Sequence, residues 1–374
     1  MPEIRPARSL LARALLVGGV VTTAAVALSG CAGASAEPDG VTIVASTTQV
    51  GDFTRELVGE QAEVTQLLSA GQSAHSFDPS AAQLAALASA DALVVNGAGL
   101  ESWVEDAVSA SGFDGVLIDA SEGIETYGTH SHGDDHEHAE GEHDHAAEHE
   151  HAEDEHAEDE HAEDTAADDH AHDDHAHDDH DHAHGNPHIW TDPALAATMV
   201  HTIAHGLAEV DGLDAAEIET NEAAYEAQLD ALDAWITENI EAVPAEQRLL
   251  VTNHDAFTYF LDAYGITFVG SVIPSFDDNA EPSAAEIDEL VARIAETGVK
   301  AVFSEGSISP KAAETIAREA GVTVYSGDDA LYGDSLGVEG TEGDTYLGSQ
   351  IHNVRLILES WGVAASPLPA ALER

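Results

Sequence analysis

From His130 to His188 the chain interleaves histidine with aspartate and glutamate, in runs such as His143-Asp144-His145 and His175-Ala176-His177-Asp178-Asp179-His180. The repeats step by five residues, a period that fits neither helix nor strand, so the segment is read as a disordered insert spanning 128–185. An insert of that length inside a compact domain is uncommon and usually functional. Whatever folds must therefore fold around it. Most of the chain's 23 histidines lie here. A plain acidic run needs only solvent. Imidazole set among carboxylates is donor chemistry for borderline divalent metals, zinc above all. His143, His145, His170, His172, His175, His177, His180, His182 and His184 are accordingly expected to form weak auxiliary metal sites.

The rest of the sequence alternates strand and helix. Val41 to Ser46, Glu63 to Ser69, Ala92 to Asn96 and Val116 to Asp119 read as strands. Helices are predicted at Val50 to Gly59, Pro79 to Ser89 and Trp103 to Ser109. After the insert, one helix is expected from Leu195 to Val210 and a longer one from about Asp214 to Val243. The longer helix carries the apolar stripe Tyr225, Leu229, Leu232, Trp235, Ile236 and ends at Pro244. Alternation then restarts. Leu249 to Thr252, Thr267 to Ser271, Ala301 to Ser304 and Thr323 to Tyr325 read as strands. Phe257 to Tyr264, Ala284 to Thr297, Lys311 to Ala320 and Tyr346 to Ser360 read as helices. The pattern predicts an α/β protein with parallel sheets flanked by helices. An N-terminal lobe over 41–212, a linker helix over 213–243 and a C-terminal lobe over 244–374 are expected.

The N-terminus reads as an export signal over 1–30. Arg5, Arg8 and Arg13 precede an apolar run from Ala14 to Leu28 that is too short for a comfortable membrane span. The run ends in Leu28-Ser29-Gly30-Cys31, which resembles the bacterial lipobox, and Cys31 is the chain's only cysteine. Lipidation of Cys31 is expected, with residues 31–40 as a tether. That would anchor the exported protein to the outer face of the bacterial cytoplasmic membrane. Charge excludes one class of partner. The net charge is -61 and lysine plus arginine total only 11, so nucleic acid is a poor ligand and cations are natural ones.

Four positions stand out at the edges of predicted elements. They are His75 in Ala74-His75-Ser76-Phe77-Asp78-Pro79-Ser80, His188 in Asn186-Pro187-His188-Ile189-Trp190, His254 in Asn253-His254-Asp255-Ala256-Phe257, and Asp334 in Tyr332-Gly333-Asp334-Ser335. With these motifs, Asn96-Gly97-Ala98-Gly99-Leu100-Glu101, Glu305 and the Tyr346-Leu347 helix, the chain resembles the metal-specific solute-binding proteins of bacterial ABC importers, the zinc and manganese receptor class. The resemblance covers almost everything after residue 40. It implies two α/β lobes bridged by a rigid helix, an ion in the cleft between them, and an importer permease as partner. It also implies His75, His188, His254 and Asp334 as metal ligands. Ala74 departs from the family, where proline often precedes the first histidine. Asp328 and Asp329 remain rivals to Asp334.

Three neutral imidazoles and one carboxylate make a tetrahedral zinc set with no open position. Manganese prefers more oxygen donors, and family members that take it resemble this chain except for an acid where His254 stands. Zinc as the transported ligand is therefore favoured, with a manganese receptor as the alternative. A closed shell holds an ion without activating water, so an enzyme is not expected. An exported zinc-dependent hydrolase would need an exchangeable water and a base, and a metal buffer would need no transporter. Glu305 is a candidate to orient a ligand histidine, with a structural role as its rival. His201 and His205, four apart, are read as a solvated helix face, because Thr202 stands where a zinc protease motif has glutamate. His352 is read as packing or surface, and a monomer is expected. The insert, with a coil spread of roughly 40 Å, is expected to gather ions near His188 and to release them below about pH 6.

Overall fold

The computed structural model describes residues 40–128 and 185–373. The expected export segment, Cys31 and the histidines from 130 to 184 lie outside the described residues.

The first half is built on four parallel strands, β1 (Val41–Ala45), β2 (Ala62–Gln66), β3 (Ala92–Val95) and β4 (Val116–Asp119), in the order β2-β1-β3-β4. The sheet needs both faces covered, because parallel strands joined by helical crossovers leave no solvated face. β3 is buried along its whole length, as its Ala-Leu-Val-Val sequence requires. Three helices connect the strands: α1 (Thr48–Val58), α2 (Ala81–Leu87) and α3 (Val104–Ser111). Thr47 caps α1 by accepting from the Val50 amide. Ser80 and Gln83 close a capping box at the start of α2.

After β4 the chain leaves at Gly128 and returns at Gly185, and the two ends meet. The Asn186 amide donates to the Tyr127 carbonyl at 3.2 Å, and the Gly185 amide faces Thr126 Oγ1 at 3.3 Å. A short 3-10 turn over Ile189–Thr191, which periodicity gave no sign of, then leads into α4 (Pro193–Leu207). The helix starts two residues before its apolar spacing suggested. Asp192 caps it through the Ala194 amide, and proline is well tolerated in a first turn.

The long helix α5 (Ala215–Glu241) buries its predicted stripe of Tyr225, Leu229, Leu232, Trp235 and Ile236. It packs on α1 and α4, and also on α6 (Thr258–Tyr264) and on the last long helix, α9 (Tyr346–Ser360). The downstream strands form two parallel ladders rather than one. β5 (Leu249–Thr252) pairs with β6 (Thr267–Ser271), and β7 (Ala301–Phe303) pairs with β8 (Thr323–Tyr325). β5 lies against β7, so the ladders abut. Strands of three to five residues leave little backbone to knit them further. Helices α7 (Ala284–Thr297) and α8 (Lys311–Ala320) cover one side with a small separate core of Val251, Val302, Leu290, Ile294 and Ile316.

Candidate metal centre

In parallel α/β sheets, ligands are received beyond the carboxyl ends of the strands. The four candidate ligands and Glu305 all lie there. His75 follows β2, His188 follows β4 across the insert, His254 stands two residues past β5, Glu305 two past β7, and Asp334 follows β8. Five strand ends therefore deliver their loops to one place.

His75, His188, His254 and Asp334 each bring a donor atom into one cluster, all within 4.8 Å of one another. His188 Nε2 lies 3.3 Å from His75 Nε2 and 3.3 Å from His254 Nε2. Asp334 Oδ1 is 2.9 Å from His188 Nε2 and 3.2 Å from His254 Nε2, and Oδ2 is 3.8 Å from His75 Nε2. A tetrahedral ion with bonds of about 2.0–2.1 Å has donor–donor edges of about 3.3 Å. The cluster is already set to that scale. His188, His254 and Asp334 are buried, and His75 alone is partly exposed. Asp328 and Asp329 are exposed in a 3-10 turn and take no part in the cluster.

Orientation of the imidazoles comes from their other nitrogens. His254 Nδ1 lies 2.7 Å from Glu305 Oε1, which also accepts from the His254 amide at 3.1 Å. His188 Nδ1 lies 2.6 Å from Asn186 Oδ1, which accepts from the His188 amide too. An acceptor at Nδ1 fixes the neutral ring with its lone pair on Nε2, the nitrogen that faces the cluster. Sequence reasoning offers Glu305 as a candidate to orient a ligand histidine, with a structural role as its rival, and does not reach Asn186. Its signal was present in the Asn-Pro-His motif, since a side-chain carbonyl two residues before a histidine can reach both the amide and the ring. The same Asn186 donates Nδ2 to the Asp255 carbonyl at 2.6 Å and to Thr258 Oγ1 at 2.9 Å. One side chain thus ties the His188 segment to the loop that carries His254.

Other motif residues hold the frame. Glu101 is buried and accepts from Ser46 Oγ, the Asn96 amide and the Gly97 amide at 2.5, 2.7 and 3.1 Å. It closes the Asn-Gly-Ala-Gly-Leu-Glu loop, in which Gly97, Ala98 and Gly99 all have positive φ. Asn96 in turn donates to the Pro187 carbonyl at 3.2 Å, steadying the segment before His188. The carbonyl of Gly333 accepts from Gln49 Nε2 and Trp190 Nε1, and so places Asp334. A Cβ on Gly333 would fall 2.0 Å from Glu305 Oε2, so only glycine fits that approach. Ala74 is buried with its carbonyl bound by Trp103 Nε1 at 2.9 Å, so the missing proline leaves a well-held backbone. His352 is packed against Tyr332 and faces the Ala330 carbonyl at 3.0 Å, away from the cluster.

Burial and charge divide the histidines. Burial holds His188 down, to about 4, despite Asp334 beside it. Burial also works against charge on His254, but the Asp334 and Glu305 carboxylates outweigh it and raise that ring well above its usual value. For Asp334, burial favours the acid form, and His254 and His188 overcome it to hold the carboxyl well below its ordinary range. Burial raises Glu305, with His254 opposing. No hydroxyl or amide among the described residues donates to either oxygen of Asp334. Asp334 facing three imidazoles, with Glu305 behind one of them and no other donor at Asp334 among the described residues, is a group able to hold a metal ion.

The sequence matches the ZnuA family, described as the periplasmic component A of a zinc-uptake complex, over residues 43–360. The chain belongs to the ZnuA family. It is therefore a receptor for a transported metal and not an enzyme. The manganese-binding lipoprotein MntA of Halalkalibacterium halodurans is 27% identical over 90% of this chain and 94% of its own length. The zinc-binding protein TroA of Treponema pallidum is 36% identical over 47% of this chain and 57% of its own. The solved structure of the periplasmic zinc-binding protein TroA from Treponema pallidum superposes with a TM-score of 0.67 at 24% identity, covering 86% of this chain and 99% of that one. That likeness bears out the α/β fold with parallel sheets flanked by helices.

Proposed function

We propose that this ZnuA-family chain captures Zn2+ outside the cytoplasm and hands it to an ABC importer permease. In this reading His75, His188, His254 and Asp334 are the ligands, and Asn186 and Glu305 hold two of the rings in the binding tautomer. The observation that carries it is the donor cluster itself, three Nε2 atoms and one carboxylate spaced at tetrahedral edges in a largely buried site. Zinc is favoured over manganese because three of the four donors are nitrogens. The likeness to a manganese-binding relative makes that comparison the one to measure. Export and lipid anchoring through Cys31 fit the lipobox-like sequence and the lipoprotein names of relatives. The N-terminal and C-terminal lobes expected around α5, with the ion between them, give a route to release, because parting the strand-end loops breaks the shell.

The test is metal analysis of the purified full chain followed by competitive titration with Zn2+ and Mn2+. The reading predicts one tight zinc per chain, tighter than manganese, and its loss in H188A. A preference for manganese, or an H188A chain that keeps the tight ion, overturns it.

A further inference from the structure

A second group of donors lies on the outer helices. His201 on α4 meets Glu222 and Glu226 on α5, with one donor atom from each lying within 4.8 Å of the others. The helices are packed side by side, and Glu222 and Glu226 stand one turn apart on the same face of α5. His201 Nδ1 is 2.6 Å from Glu222 Oε1, with the His201 side chain 62% exposed and Glu222 only 16%. His205 follows one turn later, its ring centre 5.8 Å from that of His201. Both histidines line a groove of about 340 Å³ whose rim adds Asp119, Glu122 and Glu209. The sequence suggests a solvated helix face here, and His201 is indeed exposed. What it cannot show is that two carboxylates from the next helix converge on the ring.

We propose that His201, Glu222 and Glu226 form a second divalent-cation site that clasps α4 to α5. One neutral imidazole with two carboxylates carries two negative charges, which a dication neutralises and a single proton does not. Burial and the neighbouring Glu222 push the Glu226 carboxyl up, with His201 opposing and Asp230 adding to the rise. The donor set suits zinc and its first-row neighbours. The His201–Glu222 contact is a hydrogen bond at its present length. Admitting an ion parts the two atoms to about 3.3 Å, the edge of a tetrahedral shell. That is a shift of less than an ångström for an exposed ring. With three protein donors and solvent on one side, the site keeps water on the ion and exchanges it readily, unlike the enclosed cluster at the strand ends.

The test uses the full chain. Bound zinc is counted by equilibrium dialysis and elemental analysis at saturating Zn2+ for the parent, H201A, the E222Q/E226Q pair and the triple variant. Each variant, the triple included, should hold one ion fewer than the parent, because all three side chains serve a single site. The tightest equivalent should be unchanged. As a second readout, zinc added beyond the first equivalent should raise the unfolding temperature of the parent more than that of H201A. Unchanged stoichiometry in the variants, a loss in H201A not matched by the glutamate pair, or a zinc-independent gap in unfolding temperature overturns the proposal.

Discussion

His254 Nδ1 and Glu305 Oε1 lie 2.7 Å apart in a fully buried pair, and each comes from a loop leaving a different strand ladder. The carboxylate binds both the ring and the backbone amide of His254, so it sets where Nε2 points. Replacing Glu305 with Gln keeps the shape and removes the charge. Zinc affinity is expected to fall by about 10–100-fold, the usual effect of losing such a support, with secondary structure unchanged. Competitive titration with a chromophoric chelator measures it, and full affinity in E305Q would show that Glu305 only packs.

Asp334 should be separable from its acidic neighbours. In D334N the site loses its one charged donor, and affinity is expected to drop by roughly 10–100-fold, the worth of a charge-assisted contact. D328N and D329N, altered in an exposed turn, should titrate as the parent does.

Gly333 reports on the same arrangement through shape alone. Its absent side chain leaves room for Glu305 Oε2, and a methyl group there would sit at 2.0 Å. G333A is therefore expected to displace Glu305 and to weaken zinc binding at least as much as E305Q does. The double variant should be little worse than either single one, because both act on the same carboxylate.

Glu101 provides a pH signature in the metal-free protein. Burial raises its carboxyl to about 7 from an ordinary 4.5, with Ser46 and the backbone amides of Asn96, Gly97 and Glu101 opposing. The folded state thus holds a proton that the unfolded state has already released. The associated stability is full below about pH 4.5 and is lost as pH rises through 7. A shift of that size corresponds to about 3 kcal/mol. Chemical unfolding in the presence of a chelator, from pH 4.5 to 8, should show the parent losing about that much more stability than E101Q. Parallel curves would refute it.

Removal of residues 130–184 should leave the fold and the tight ion intact. The flanking chain is already joined by the Asn186 amide and the Tyr127 carbonyl, so a short bridge suffices. Titration should then give one tight equivalent and the single exchangeable ion at His201, without the many weak ions of the insert, and loss of the tight equivalent would tie the insert to the strand-end site.

Much of this site was legible in the sequence because its parts are motifs at strand ends. The histidines at 75, 188 and 254 each sit in a short recognisable phrase, and the strands preceding them are apolar runs. Asp334 was harder to single out, since three acids lie within seven residues and residue chemistry does not rank them. Folding does, by burying Asp334 and leaving Asp328 and Asp329 in solvent. Asn186 is legible as part of a motif but not in its role, because its partners Asp255 and Thr258 lie about seventy positions away. The facing of His201 by Glu222 and Glu226 is a matter of how α4 and α5 rotate against each other, which spacing within either helix does not specify.

The bond between Tyr127 and Asn186 makes the length of the span between them nearly irrelevant to folding. A stretch that leaves and re-enters at adjacent points adds to the closure term of folding only as the logarithm of its length. Adding or removing units between those two points would therefore change the folding free energy of the receptor beneath by only a small amount.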